Sequence, residues 1–294
     1  MTSAARIEQN LPGQGIFTNP KTGVKTSYRL KKNNTAGQTP GQTPGGLMPM
    51  VFLHGFNGNS RSWACQFDFF SNRTLLALDA PGYGQSDAID GGMPQIADEA
   101  AALIRATIMP PAVIVGHSMG GMLAQVLAAS HNGLACALVL SCTHTGYAKA
   151  PDTPLGDALL QRLEERRTMD DETYGSRRVR AMLPGVAENE TFDFLADIAG
   201  EVRAGGIRCG GWAMHHLDTR PLLHRIKMPV CLITAANDTV VTPETGAALT
   251  GGLPGAEQFV IPEVGHAPYC EDPARFNAII SNFLAPLNEA ECAS

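Results

Sequence analysis

The stretch AVIVGHSMGGMLAQVLAA, residues 112–129, decides the fold. A β-branched run, Val113-Ile114-Val115, stops at Gly116, and apolar residues resume at helical spacing with Met122, Leu123, Val126 and Leu127. The first pattern reads as a buried strand and the second as a helix. Between them Ser118 stands among Gly116, Gly120 and Gly121, so the tightest corner of the chain carries a hydroxyl. Glycine punctuates many such connections and serine is a common helix N-cap, so Gly-x-Ser-x-Gly alone is a weak signal. The setting strengthens it. A serine on so sharp a corner sits in strained backbone costing about 1–3 kcal/mol, and the glycines remove Cβ atoms that would collide there. The reading is a nucleophile elbow.

Working outward, strands are expected at 47–55, in 74–87 before a glycine-rich turn, and at 135–144, 229–236 and 257–261, with helices over 94–107 and 273–285. Strands alternating with helices imply an α/β fold, a mostly parallel sheet with helices on both faces, and a ligand site at the carboxyl ends of the strands. Residues 145–222 break the alternation with charged, helix-like pieces and no clear strand, and read as an inserted helical cap. The division is 1–46 (tail, a hairpin over 14–31 around NPKTG, and a mobile GQTP-repeat loop), 47–144 and 223–294 (core), and 145–222 (cap).

With 294 residues, 44% of them hydrophobic, the chain can bury a large core. A net charge of −6 with scattered basic residues favours neither nucleic acid nor an anionic membrane as partner. The odd set of seven separated cysteines, with no Cys-x-x-Cys, reads as reduced thiols. With no secretory h-region and no run of about 18 apolar residues, the expectation is a cytoplasmic protein, monomer or homodimer, that acts on a small molecule.

A serine hydroxyl needs a base, and the base needs an orienting acid. His266, in IPEVGHAPYCEDP after the strand FVI, is the best base; Asp238, directly after PVCLITAA, is the best acid. Asp79 also follows a strand, but its loop suits a local hydrogen-bonding role. His117 adjoins Ser118 on a turn that points neighbours apart, and reads as a packed residue behind the site. His131 and His224 read as ordinary helix-end residues, and His215 with His216 as an improbable metal pair. Backbone N–H groups of Met119 and Phe56 are the candidate oxyanion donors. Phe56, Met119, His144 and Trp212, with Met214 nearby, are the candidate pocket walls, and His54 a residue that fixes its loop. No cofactor or metal is called for.

VFLHGF, LDAPGYGQSD, VGHSMGG, AANDTVVTPE and GHAPYCEDP together resemble, in order, the landmarks of the α/β-hydrolase superfamily, over about 47–144 and 222–286. The resemblance implies that fold and a Ser118–Asp238–His266 triad. Ser118 at the nucleophile position argues against epoxide hydrolases and haloalkane dehalogenases, which carry aspartate there. HGFNGNS lacks both the His-Gly-Gly-Gly of one lipase and esterase branch and the Gly-Pro-Gly often seen in carbon–carbon bond hydrolases. HGF followed by Ser62-Trp63 is similar to small bacterial esterases, enol-lactonases and haloperoxidase-like perhydrolases. The implied activity is hydrolysis of a carboxylic ester or lactone through an acyl-enzyme. The alternatives are a carbon–carbon hydrolase of a ring-cleavage product, which a basic cluster in the pocket would favour, and a slow-turnover ligand sensor.

Overall fold

The computed structural model describes residues 7–33 and 47–287; the GQTP repeat lies outside them. One eight-stranded sheet runs β1-β2-β4-β3-β5-β6-β7-β8. The strands are β1 (Gln14–Thr18), β2 (Lys25–Lys31), β3 (Met50–Leu53), β4 (Leu75–Leu78), β5 (Ala112–His117), β6 (Ala135–Ser141), β7 (Val230–Ala235) and β8 (Glu257–Ile261). β3 to β8 pair in parallel, while β1 with β2 and β2 with β4 pair antiparallel. The hairpin expected at 14–31 forms, but it extends the main sheet rather than standing apart. Tyr28 and Leu30 sit opposite Leu78 and Leu76, so the pairing covers what would otherwise be an open edge at β4.

Side chains alternate across the sheet. Val51, Leu53, Ile114, Leu138, Leu140 and Leu232 enter one core; Met50, Phe52, Val113, Val115, Val139 and Ile233 enter the other. The period of two in these strands dictates that split. Helix α1 (Ala64–Phe69) lies on the second face, and α2 (Met93–Thr107) and α3 (Met119–Ser130) lie on the first. Between β6 and β7 the chain forms four helices, α4 (Asp157–Thr168), α5 (Asp171–Met182), α6 (Glu190–Gly200) and α7 (Ala204–His216). After β7 come α8 (Pro243–Gly252), α9 (Pro268–Glu271) and α10 (Pro273–Leu284).

This order positions the site. From β3 the chain crosses to β4 on one side and then returns to β5 on the other. The reversal opens a crevice between β3 and β5 at their carboxyl ends, where open α/β sheets bind ligands. No described helix is long and apolar enough to cross a membrane.

Candidate active site

The corner at Ser118 is strained as the sequence requires, with φ 53° and ψ −118°. Glycine is obligatory beside it. A Cβ on Gly116 would lie 2.4 Å from the Gly120 carbonyl oxygen, and one on Gly120 would lie 2.1 Å from that of Leu53. The turn is tied to β6 and the segment after it. The Ser118 N–H donates to the Ser141 carbonyl at 2.9 Å, and Thr143 Oγ1 donates to the Ser118 carbonyl at 2.6 Å. The hydroxyl itself caps nothing in α3.

That hydroxyl meets His266. Nε2 of His266 lies 3.0 Å from Ser118 Oγ, and Nδ1 lies 2.9 Å from Asp238 Oδ2. Asp238 Oδ1 accepts the N–H groups of Val240 and Val241 at 2.8 and 2.9 Å, which fixes the carboxylate. Burial raises the Asp238 pKa, but the hydrogen bond and charge of His266, with those two N–H groups, outweigh it. The net pKa lies below the ordinary aspartate value, so the group remains anionic. The serine, imidazole and carboxylate thus converge from the ends of β5, β8 and β7. Such a relay can draw the proton from the hydroxyl and hold the resulting imidazolium.

Met119 is the first residue of α3, where an N–H has no intrahelical partner and the helix dipole favours negative charge. Phe56 follows β3. Among the described residues neither N–H is engaged by another acceptor. His54 holds the Phe56 loop: its Nε2 accepts the Ala80 N–H at 3.0 Å, leaving Nδ1–H for the Gly55 carbonyl at 2.8 Å. Burial pulls the His54 pKa down, in keeping with that neutral tautomer. Asp79 is wholly buried and keeps to its local role. Its oxygens accept from the Ser60 N–H, Ser27 Oγ and Gln14 Nε2 at 2.6, 2.6 and 2.8 Å.

A cavity of about 110 Å³ opens over Ser118, lined by Phe56, His144, Met122, Leu195, Met214 and Val241 among others. Two expected wall residues are corrected. Trp212 is 40% exposed and lines a separate cleft with Ala88, Leu155 and Arg208. It lies two residues before Met214 on α7, about 200° around the helix axis, so one faces the cavity and the other turns away. The Met119 side chain does not line the cavity: its Sδ reaches across to α7, 2.8 Å from where a Cβ on Gly210 would stand, and Met122, one turn on, lines the cavity instead. His117 is buried behind the site, its ring 4.8 Å from those of His266 and Tyr269. His144 accepts the Gly146 N–H on Nδ1 at 3.2 Å, so its Nε2 carries the proton.

Several contributors escaped the sequence reading. Glu271 brackets the base: Oε2 accepts the Gly265 N–H and Oε1 the Ala267 N–H, each at 2.9 Å. Glu271→Gln replaces one acceptor by a donor facing an N–H. It is expected to lower kcat about 10–10²-fold with KM little changed, since displacements near 1 Å at a reacting group have that cost. Steady-state kinetics give the split, and a change confined to KM would remove Glu271 from this positioning role. Arg61, near the end of the loop after β3, pairs with Glu8 and Asp197 at 2.6 Å and with Glu201 at 2.5 Å. It ties that loop to α6 and the residue after it.

Among the described residues one cluster has three donors close enough for a metal, Cys142, Asp238 and His266. It is a poor fit. Both ring nitrogens of His266 are already engaged. A thiol must lose its proton to ligate, whereas burial, and then the Asp238 charge, push the Cys142 pKa well up.

A mostly parallel sheet carrying a strained serine corner at the end of one strand, with a histidine and a carboxylate in hydrogen-bond reach from the ends of two others, is the arrangement of an α/β-hydrolase. The chain belongs to the Alpha/beta hydrolase family, whose profile matches residues 50–279. It is 24% identical over 247 residues to AB hydrolase superfamily protein YisY of Bacillus subtilis (strain 168), covering 80% of this chain and 91% of that protein. It is 27% identical over 241 residues to pimeloyl-(acyl-carrier protein) methyl ester esterase of Chromobacterium violaceum, covering 80% and 93%. The crystal structure of the enol-lactonase from Burkholderia xenovorans LB400 superposes with a TM-score of 0.76 at 21% identity, covering 92% of this chain and 100% of that one. At that identity the likeness concerns the fold.

Proposed function

We propose that the chain cleaves a carboxylic ester or lactone of a small molecule through an acyl-enzyme on Ser118. One observation carries the reading: the unbroken relay from Asp238 Oδ2 through His266 to Ser118 Oγ, at 2.9 and 3.0 Å, on the floor of a cavity. Ser118 Oγ attacks the carbonyl carbon while His266 Nε2 takes its proton. The oxyanion forms against the N–H groups of Met119 and Phe56. As it collapses, the bond to the leaving alkoxide breaks and His266 returns the proton to that oxygen. Water, deprotonated by His266, then attacks the acyl carbon; the bond to Ser118 Oγ breaks, His266 hands the proton to that oxygen, and the acid leaves. Asp238 stabilises the imidazolium throughout.

The relative named as a methyl ester esterase supports this chemistry. The cavity is of the order of the ~150 Å³ that admits a benzene ring, which favours short acyl groups. Carbon–carbon hydrolysis of a ring-cleavage product is the second reading, favoured by Arg162 and Arg178 in the cavity. The test is a panel of short p-nitrophenyl esters, lactones and vinylogous diketone acids. Turnover of the esters or lactones at about 1–10³ s⁻¹, with an acyl adduct trapped on Ser118 by mass spectrometry, is the expected result. Cleavage of the diketone acids alone would replace the ester reading.

A further inference from the structure

The cavity over Ser118 holds two guanidinium groups and, among the described residues, no Asp or Glu. Arg162 of α4 has no carboxylate within 4.0 Å among the described residues. Its contacts are a 3.3 Å hydrogen bond to Asn57 Oδ1 and the face of the Phe56 ring, with Cζ 5.1 Å from the centroid. Both lie in the loop that offers one oxyanion donor. Arg178 of α5 is almost wholly buried and pairs with Glu165 at 2.7 Å, but the same carboxylate also pairs with Arg177 at 2.8 Å. One anion therefore serves two cations, and Arg178 Nε is buried with no acceptor. Arg162, Arg177 and Arg178 against Glu165 leave an excess of two positive charges. The other titratable groups lining the cavity are His144, Tyr147, Tyr269, His117 and His266, none of which offers a formal negative charge at neutral pH.

Arg162 is half-buried, and a cation partly withdrawn from water with no counter-ion is stabilised when an anionic ligand completes it. Burial, and then the neighbouring charge of Arg178, draw the Arg162 pKa below its ordinary value, and the group still stays charged near neutrality. Its planar fork matches a carboxylate. From this geometry we infer that Arg162, with Arg178 beside it, binds a carboxylate of the substrate, so that the ester or lactone cleaved is an anion. The inference rests on the hydrolase reading above and adds the substrate class.

The experiment uses two matched pairs that place the charge on either side of the scissile bond. Monomethyl glutarate is compared with methyl 5-methylhexanoate, its uncharged isostere, and O-butanoylglycolate with isobutyl butanoate. In at least one pair the anion is expected to be hydrolysed with kcat/KM at least tenfold higher. Arg162→Met is expected to collapse that ratio, chiefly through KM, and Arg162→Lys to restore part of it. The ratio is its own control, because misfolding lowers both members alike. Titration calorimetry of the Ser118→Ala protein with the same anions reads binding without turnover, and Arg162→Met in that background is expected to weaken it at least tenfold. Equal kcat/KM within both pairs, or a ratio unmoved by Arg162→Met, overturns the carboxylate inference and leaves the esterase reading intact. Arginine-dependent binding without turnover of any ester upholds the inference and removes the esterase reading. Absence of both binding and preference overturns the inference.

Discussion

Ser118→Ala is expected to lower ester hydrolysis by about 10⁴-fold or more, in line with the losses when the nucleophile of a serine relay is removed. The geometry makes this a clean substitution. Ser118 Oγ is bonded to His266 Nε2 alone and makes no cap to α3. The bonds that hold the corner use the Ser118 backbone, to Ser141 and from Thr143, and alanine keeps both. The strained φ of 53° is no harder for alanine than for serine, so the melting temperature should change little. The measurement is kcat/KM on a p-nitrophenyl ester, with thermal melts of both proteins. Retention of more than about a tenth of the activity, roughly 1.4 kcal/mol in barrier, would end the assignment of Ser118 as nucleophile.

The elbow was legible because its physics is local. A β-branched run, three small residues and a helical repeat within 18 positions leave few other folds for that stretch, and the Cβ distances at Gly116 and Gly120 show why no other residue fits. Asp238 and His266 were legible for a related reason: each lies within five residues of the end of a strand whose apolar run is plain, and parallel strands deliver their ends to one rim. Facing within helices was not legible where the pattern is weak. In α7, Trp212 and Met214 are both large and apolar, and only the packing of α7 reveals which one faces the cavity. The facing of Met119 was illegible likewise, since α3 is apolar nearly all round and buried on most sides. The excess charge around Glu165 was hidden because Arg166, Arg167, Arg177 and Arg178 stand in sequence among Glu164, Glu165, Asp170 and Asp171, a mixture that does not say which charges pair. Three-dimensional pairing alone separates Arg167, exposed with Glu164, from Arg178, buried beside the cavity. The hairpin was seen, but its pairing with β4 spans more than 40 residues and leaves no local trace.

Asp238→Asn is expected to cost about 10⁴-fold in kcat, a loss of the size that the wrong imidazole tautomer causes in a serine relay, with the fold preserved. Asp238 Oδ1 accepts from both Val240 and Val241, so in the amide the oxygen stays at that position to keep two hydrogen bonds. The NH₂ must then face His266 Nδ1, where the carboxylate oxygen lies 2.9 Å away in the native chain. A donor there forces Nδ1 to accept and moves the ring proton to Nε2. Nε2 would then present a hydrogen to Ser118 Oγ across the 3.0 Å contact and could not receive one. Asp79→Asn gives the contrasting result. Asp79 Oδ2 accepts from Ser27 Oγ and Gln14 Nε2 while Oδ1 accepts from the Ser60 N–H. With the amide oxygen kept on the Ser60 N–H, the NH₂ takes the place of an acceptor shared by Ser27 Oγ and Gln14 Nε2, so both of those bonds must be remade, at about 1–3 kcal/mol. That substitution should therefore lower the melting temperature far more than kcat. Kinetics and melts on the two variants separate the roles. A large catalytic loss in Asp79→Asn with Asp238→Asn near native would move the orienting acid from β7 to β4.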